Sequence, residues 1–199
     1  MKATMVGKLL QVKSFSYRFK SFKTQKMKKS ITTAIIMLAL VFSLNAQVQY
    51  VAKVETGYIQ YAYRIVMVDP GPNWKGNYLN SDNNGFGINL MNGITFGAKK
   101  GFVGVGIGYL NFEGVSGVSV FGDFEYLPLK TKLTPLFNFK IGYNHIWNQY
   151  EGGTGTPLSE FAFGLNYRLT PNLDIYVKTG MLFMQHSFLV PAFVGVRFR

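Results

Sequence analysis

Residues 173–199 read LDIYVKTGMLFMQHSFLVPAFVGVRFR, and the parity of this stretch decides the fold. Leu173, Ile175, Val177, Thr179, Met181 and Phe183 share one side, with Asp174 and Lys178 between them. After the break Met184-Gln185-His186-Ser187 the alternation resumes. Phe188, Val190, Ala192, Val194, Val196 and Phe198 form one face, and Leu189, Pro191, Phe193, Gly195, Arg197 and Arg199 the other. A period of two over this length belongs to β-strands, not helices. In both strands one face is uncharged from end to end and the charges lie on the opposite one. A soluble barrel turns its apolar face inward and its charges outward. An uncharged face toward lipid and a charged face toward the bore is the pattern of a transmembrane β-barrel.

The same parity runs back through the chain. A sixth strand over 160–169 faces Phe161, Phe163, Leu165, Tyr167 and Leu169 outward, and Ala162, Gly164, Asn166 and Arg168 inward. A fifth over 136–147 turns out Phe137, Phe139, Ile141, Tyr143 and Trp147, and turns in Asn138, Lys140, Gly142 and Asn144. A fourth over 118–127 directs Asp123 and Glu125 inward. A third over 102–109 puts Gly104, Gly106 and Gly108 inside, leaving room for larger side chains from opposite strands. A second covers 86–96, with Asn92 on an otherwise apolar outer face. A first covers 51–62, with Lys53 and Glu55 inward.

The expectation is therefore all-β: an eight-stranded antiparallel up-and-down transmembrane barrel. Connections after odd strands should be external and longer, those after even strands periplasmic and short. The external set is 64–84, 111–117, 148–157 and 184–187; the periplasmic set is 98–101, 128–135 and 170–172. The Pro, Gly and Asn content of 64–84 marks a loop, and its Trp74 and Tyr78 make it the best candidate for surface contacts. Outward aromatics predict two interfacial belts. One holds Phe96, Phe102, Tyr126, Phe137, Tyr167 and Phe198; the other holds Phe86, Tyr109, Trp147, Phe161, Phe183 and Phe188.

The chain has 199 residues and a formal charge of +12, a balance that suggests nucleic acid. The distribution removes that reading. Residues 1–46 hold nine Lys/Arg and no acid, so the remainder carries twelve basic and nine acidic side chains, a net of only +3. Lys28-Lys29 begins a basic segment, 31–44 is apolar, and Ser43-Leu44-Asn45-Ala46 ends in a small residue. This is a secretory signal peptide over 27–46, cut after Ala46. Its apolar run is too short to span a bilayer as a helix. Residues 1–26 form an upstream extension, with Met27 the expected start, and 47–199 form the barrel. There is no Cys, so disulfides and thiolate metal sites are excluded.

The barrel portion resembles the small eight-stranded outer-membrane proteins of Gram-negative bacteria, the outer membrane protein β-barrel domain or porin-like group. The residues that carry the likeness are the Gly-rich third strand and the closing Val194-Gly195-Val196-Arg197-Phe198-Arg199. Leu44-Asn45-Ala46-Gln47 is similar to the signal ends of Bacteroidota. The resemblance implies a place in the cell outer membrane, among its lipid. It also implies that the barrel-insertion machinery reads a terminal aromatic strand, here through Phe198. Arg199 after it departs from the usual aromatic terminus. Pro191 is a second departure, because it removes a ladder donor.

The residues that invite chemistry are the inward charges Asp123, Glu125, Lys140, Arg168, Asp174, Lys178 and Arg197. Paired acids suggest acid/base catalysis. An eight-stranded bore, however, is only wide enough for side chains to fill it, and buried charges must pair. These residues are therefore read as a structural lumen network that plugs the barrel. His186-Ser187 brings to mind a His/Ser pair, but neighbours in a strand point to opposite faces. Two His and no Cys give no metal site. The expected protein is not an enzyme and holds no cofactor or metal. It is an outer-membrane barrel with a structural or surface-interaction role, its external loops meeting host or envelope components. The alternatives are a lipid A-modifying enzyme at the outer rim and a narrow channel for small solutes.

Overall fold

The computed structural model describes residues 48–65, 71–76, 79 and 84–199. The expected extension 1–26, the expected signal peptide 27–46 with its cleavage point, and Tyr78 lie outside the described residues. Eight strands follow in order: β1 (Gln49–Arg64), β2 (Gly85–Phe96), β3 (Gly101–Phe112), β4 (Val115–Tyr126), β5 (Leu133–Ile146), β6 (Thr154–Thr170), β7 (Leu173–Met184) and β8 (Ser187–Phe198). Each pairs antiparallel with its sequence neighbours, and β1 also pairs with β8. Closure removes every sheet edge, so each strand has a partner on both sides. One end of the barrel carries 65–84, 147–153 and the turns 113–114 and 185–186; the other carries the turns 97–100, 127–132 and 171–172 and both strand termini. We call these the loop end and the terminus end.

Parity holds around the barrel. Val54, Leu90, Val105, Ile107, Val120, Ile141, Leu165, Val177 and Val194 are exposed, whereas Lys53, Glu55, Asp123, Lys140, Asp174, Lys178 and Arg197 are buried. No strand residue on the outward face is a Lys, Arg, Asp or Glu. Water does not select such a surface, because large contiguous apolar patches are rare on soluble monomers. The outward Asn92 is matched within the same face: Tyr50 donates its hydroxyl to Asn92 Oδ1 at 2.6 Å.

The strands are longer than the side-chain pattern predicts. The loop expected at 111–117 is the two-residue turn Glu113–Gly114, with Gly114 at φ 77°. The loop expected at 148–157 shrinks to 147–153, and the turn at 128–135 to 127–132. Backbone pairing runs on through Gly117↔Ile146 and Asn144↔Thr156. Those small and polar residues extend the ladder beyond the apolar band, where nothing selects for greasy side chains.

Two belt residues are misplaced by the expectation. Phe102 is buried in the bore, with Lys53 Nζ 4.4 Å from its ring centroid. Because β6 starts at Thr154, Phe161 sits at mid-strand, where it joins the row Phe124–Phe139–Phe161. The inward glycines of β3 do leave room, but for adjacent strands rather than opposite ones. A Cβ on Gly106 would stand 2.6 Å from Met91 Cγ of β2 and from Phe121 Cε2 of β4. At Pro191 the β7–β8 pairing skips two positions, from Thr179↔Ala192 to Leu182↔Leu189, without losing register. Thr179 Oγ1 donates to the Pro191 carbonyl at 2.9 Å across this gap.

Candidate functional site

The bore is filled in two layers. The layer nearer the terminus end, reaching mid-barrel, is ionic. Five carboxylates (Glu55, Asp123, Glu125, Glu160, Asp174) meet four buried cations (Lys53, Lys140, Lys178, Arg197). Arg199, whose side chain is also covered, brings the two signs level. Lys53 Nζ reaches Asp123 at 2.7 Å and Glu125 at 2.9 Å. Lys178 reaches Glu160 at 2.8 Å and Glu55 at 3.1 Å. Lys140 pairs with Glu55 and, at 3.3 Å, with Glu160. Arg197 pairs with Glu125 and, at 3.0 Å, with Asp174.

Neutral side chains take the remaining valences. Asn138 donates to Asp123 at 2.5 Å and accepts from Lys178 at 2.6 Å. Asn89 and Tyr176 donate to Glu55 at 2.9 and 3.0 Å. Desolvating so many ions is tolerable only when each is paired and hydrogen-bonded. The alternating sequence supplies this by aiming every second side chain of eight strands at one axis.

The layer at the loop end is mainly apolar, with Asn144 and Thr156 buried beside it as a hydrogen-bonded pair at 2.9 Å. Ile59, Met91, Leu110, Phe112, Val115, Phe121, Ile146, Leu158, Leu182, Met184, Leu189 and Phe193 form a continuous buried cluster, and Leu79 of the long loop joins it. This second core is a finding the inward charges alone did not predict. Phe121 and Phe193 lie at the seam: Lys140 Nζ is 4.9 Å from the first ring centroid and 5.2 Å from the second. Cations over ring faces join the two layers favourably.

Above this core the two longer loops are tied together. Trp74 and Tyr150 form an isolated antiparallel bridge. Lys75 N–H donates to the Gln149 carbonyl at 2.9 Å, and Glu151 N–H to that of Asn73 at 3.3 Å. The other two connections at this end are the turns 113–114 and 185–186. The longer connections at this end are therefore 65–84 and 147–153, rather than four loops.

Of the charges singled out in the sequence, Asp123, Glu125, Lys140, Asp174, Lys178 and Arg197 come together in the ionic layer. Arg168 does not. It sits at the terminus-end mouth, its side chain 32% exposed and its Nε 3.8 Å from Asp174 Oδ1. Pairing of β6 with β7 shifts register there, between Arg168 and Thr170. Glu160, Tyr176, Asn89 and Arg199 were missed, although parity alone places Glu160 on the face of Ala162 and Gly164. Phe198 faces outward, half exposed, opposite Ala52 and Leu173.

Among the described residues, the Ser187 hydroxyl is not directed at His186. Gln185 and His186 take φ 51° and 55°, a two-residue turn with both central residues left-handed. Ser187 is buried and its hydroxyl donates to the Gln185 carbonyl at 3.1 Å. A base-activated serine would need that hydroxyl on the imidazole. His145 stacks edge-on against Trp147 on the outer face, with ring centroids 5.8 Å apart. Among the described residues no group of three His, Cys, Asp or Glu is placed to hold a metal.

No family model matches the chain, and no curated protein matches it. Among solved structures it is similar to Neisserial surface protein A, at 10% identity over 77% of this chain and 99% of that one, with a TM-score of 0.58. It is also similar to the N-terminal β-barrel domain of Pseudomonas aeruginosa OprF (16% identity, 76% and 98% coverage, TM-score 0.49). A third is the Yersinia pestis outer membrane protein Ail in phospholipid bilayer nanodiscs (12%, 76% and 99%, TM-score 0.42). At these identities the likeness is one of fold. The chain is a closed eight-stranded antiparallel barrel of the transmembrane type, and its structural neighbours are outer-membrane β-barrels.

Proposed function

We propose that this protein is a sealed outer-membrane barrel whose work is done by its exterior and its loop end, in a structural or surface-interaction role. The observation that carries the reading is the doubly filled bore. An ionic layer and an apolar layer in series fill the bore with buried side chains. What remains for contact is the lipid-facing wall and the bridged pair 65–84 and 147–153. With short turns periplasmic and longer loops external, these loops face outward, toward envelope or host components. In this reading the chain is exported by the segment 27–46, matures with Gln47 first, and is inserted through recognition of the strand ending in Phe198. The ionic layer serves assembly of the barrel rather than catalysis.

Two measurements test this. Purified protein refolded in detergent should migrate faster unheated than heated, and in planar bilayers it should give no stable open channel. Large, lasting conductance would refute the sealed bore. For the role, variants shortened within 147–153 should lose binding to envelope or host surfaces while the unheated band persists. Release of acyl chains from lipid A by the unaltered protein would make it an enzyme instead.

A further inference from the structure

The acids outside the bore are confined to one end. Among the described residues, the acids not in the ionic layer, Glu113 and Glu151, both lie at the loop end. The terminus end carries Lys99, Lys100, Lys130, Lys132, Arg168 and Arg199, and the buried Asp174 is the acid set against Arg168 and Arg199. Four of these cations, Lys99, Lys132, Arg168 and Arg199, line one cleft of about 480 Å³, together with the exposed Leu169 and Pro171. The backbone fixes this gathering. Arg168 N–H donates to the Lys132 carbonyl at 2.8 Å, and Arg199 N–H to that of Asn172 at 2.9 Å.

The cleft is short of anions. Asp174 is already engaged by Arg197 at 3.0 Å and by Arg199 at 2.5 Å. The Nε of Arg168 and the Nε of Arg199 are both covered and have no hydrogen-bond partner; the 3.8 Å from Arg168 Nε to Asp174 is too long for one. Guanidinium forks and nearby ammonium groups suit a phosphate. Leu169 belongs to the lipid-facing wall, so an acyl chain lies alongside any phosphate seated here.

We propose that this cleft binds the phosphate headgroup of an anionic glycerophospholipid, such as phosphatidylglycerol, in the leaflet at the terminus end. The inference rests on the outer-membrane reading above. It gives the terminus end a lipid ligand, where that reading placed contacts only at the loops.

The test uses the full chain refolded in detergent, titrated with short-chain phosphatidylglycerol or phosphatidylcholine and read by native mass spectrometry. Phosphatidylglycerol should bind at least tenfold more tightly than phosphatidylcholine, with the preference falling as salt rises. The double variant Lys99→Gln/Lys132→Gln should weaken phosphatidylglycerol binding by roughly thirtyfold. Lys99→Arg/Lys132→Arg should retain it. The site is refuted by equal binding of the two lipids, or by a Gln variant that binds unchanged. Inorganic phosphate competing at the lipid's own concentration would make it a bare anion site and refute the lipid. Lipid A binding in preference, lost in the same Gln variant, would refute the assigned leaflet. A heat-shifted band alongside any of these failures leaves the barrel reading intact.

Discussion

The two halves of the bore solve one packing problem with opposite chemistry. At the loop end, side chains from all eight strands bury hydrocarbon against hydrocarbon, with Ile59, Ile146 and Leu189 fully covered. Toward the terminus end the same alternation buries ions, and Lys53, Asp123 and Arg197 are as inaccessible as those aliphatics. The apolar half tolerates imperfect partners, because dispersion is non-directional. The ionic half depends on each particular partner, because a stranded charge in low dielectric is costly. The difference teaches where the barrel is brittle.

Glu55 is the sharpest place to break the contrast. It accepts from Lys140, Lys178, Asn89 and Tyr176. Glu55→Ala leaves Lys140 and Lys178 to share Glu160 as their one carboxylate and should destabilise the barrel by about 3–5 kcal/mol, the cost of breaking a buried pair. The measurement is urea titration of the unheated gel band in lipid vesicles. A loss below about 1 kcal/mol would mean that water hydrates the layer, and the two halves would no longer differ in kind.

In the apolar half the counterpart is added rather than removed volume. Gly106→Ala places a methyl 2.6 Å from Met91 Cγ and Phe121 Cε2. Overpacking of this kind costs about 1–3 kcal/mol, by the same titration. The flexible Met91 should hold the loss to the lower part of that range. If Gly106→Ala costs as much as Glu55→Ala, brittleness is shared by both halves.

The seam offers a smaller effect. Phe193→Leu keeps an apolar side chain but removes the ring near Lys140 and Lys178. The expected loss is about 1–2 kcal/mol for desolvated cation–ring contacts and a changed shape. A neutral outcome would show two layers that merely abut.

Parity made the wall legible in the sequence. Leu165, Val177 and Val196 alternate with Asn166, Lys178 and Arg197, and a period of two needs no knowledge of neighbours. Strand ends were less legible, because Ser116, Gly117 and Thr156 pair through their backbones while their side chains resemble a loop's. The layering was not legible at all. Whether an inward residue meets Lys140 or Leu189 depends on the stagger between strands, which no single strand records. Glu160 was the avoidable miss, since it continues the inward row of Ala162 and Gly164. Arg168 was the converse: correctly inward, but too near the mouth to join the layer.

The wall itself supplies the smallest test of inside against outside. Asn92 is a polar residue on the lipid-facing surface, and its amide oxygen accepts from the Tyr50 hydroxyl at 2.6 Å. In lipid, an amide without a partner is penalised, yet measured side-chain hydrogen bonds in membranes average only about 0.6 kcal/mol. Tyr50→Phe should therefore cost roughly 0.6 kcal/mol in the vesicle titration. Asn92→Leu should be neutral or stabilising, and Tyr50→Phe/Asn92→Leu should be no less stable than Asn92→Leu alone. That non-additivity is the signature of a pair in contact. It should shrink in detergent, where water reaches the rim and can replace the lost partner. Additive effects in both media would mean that Tyr50 holds its place by burying its ring at the interface, and that Asn92 finds its partner in water.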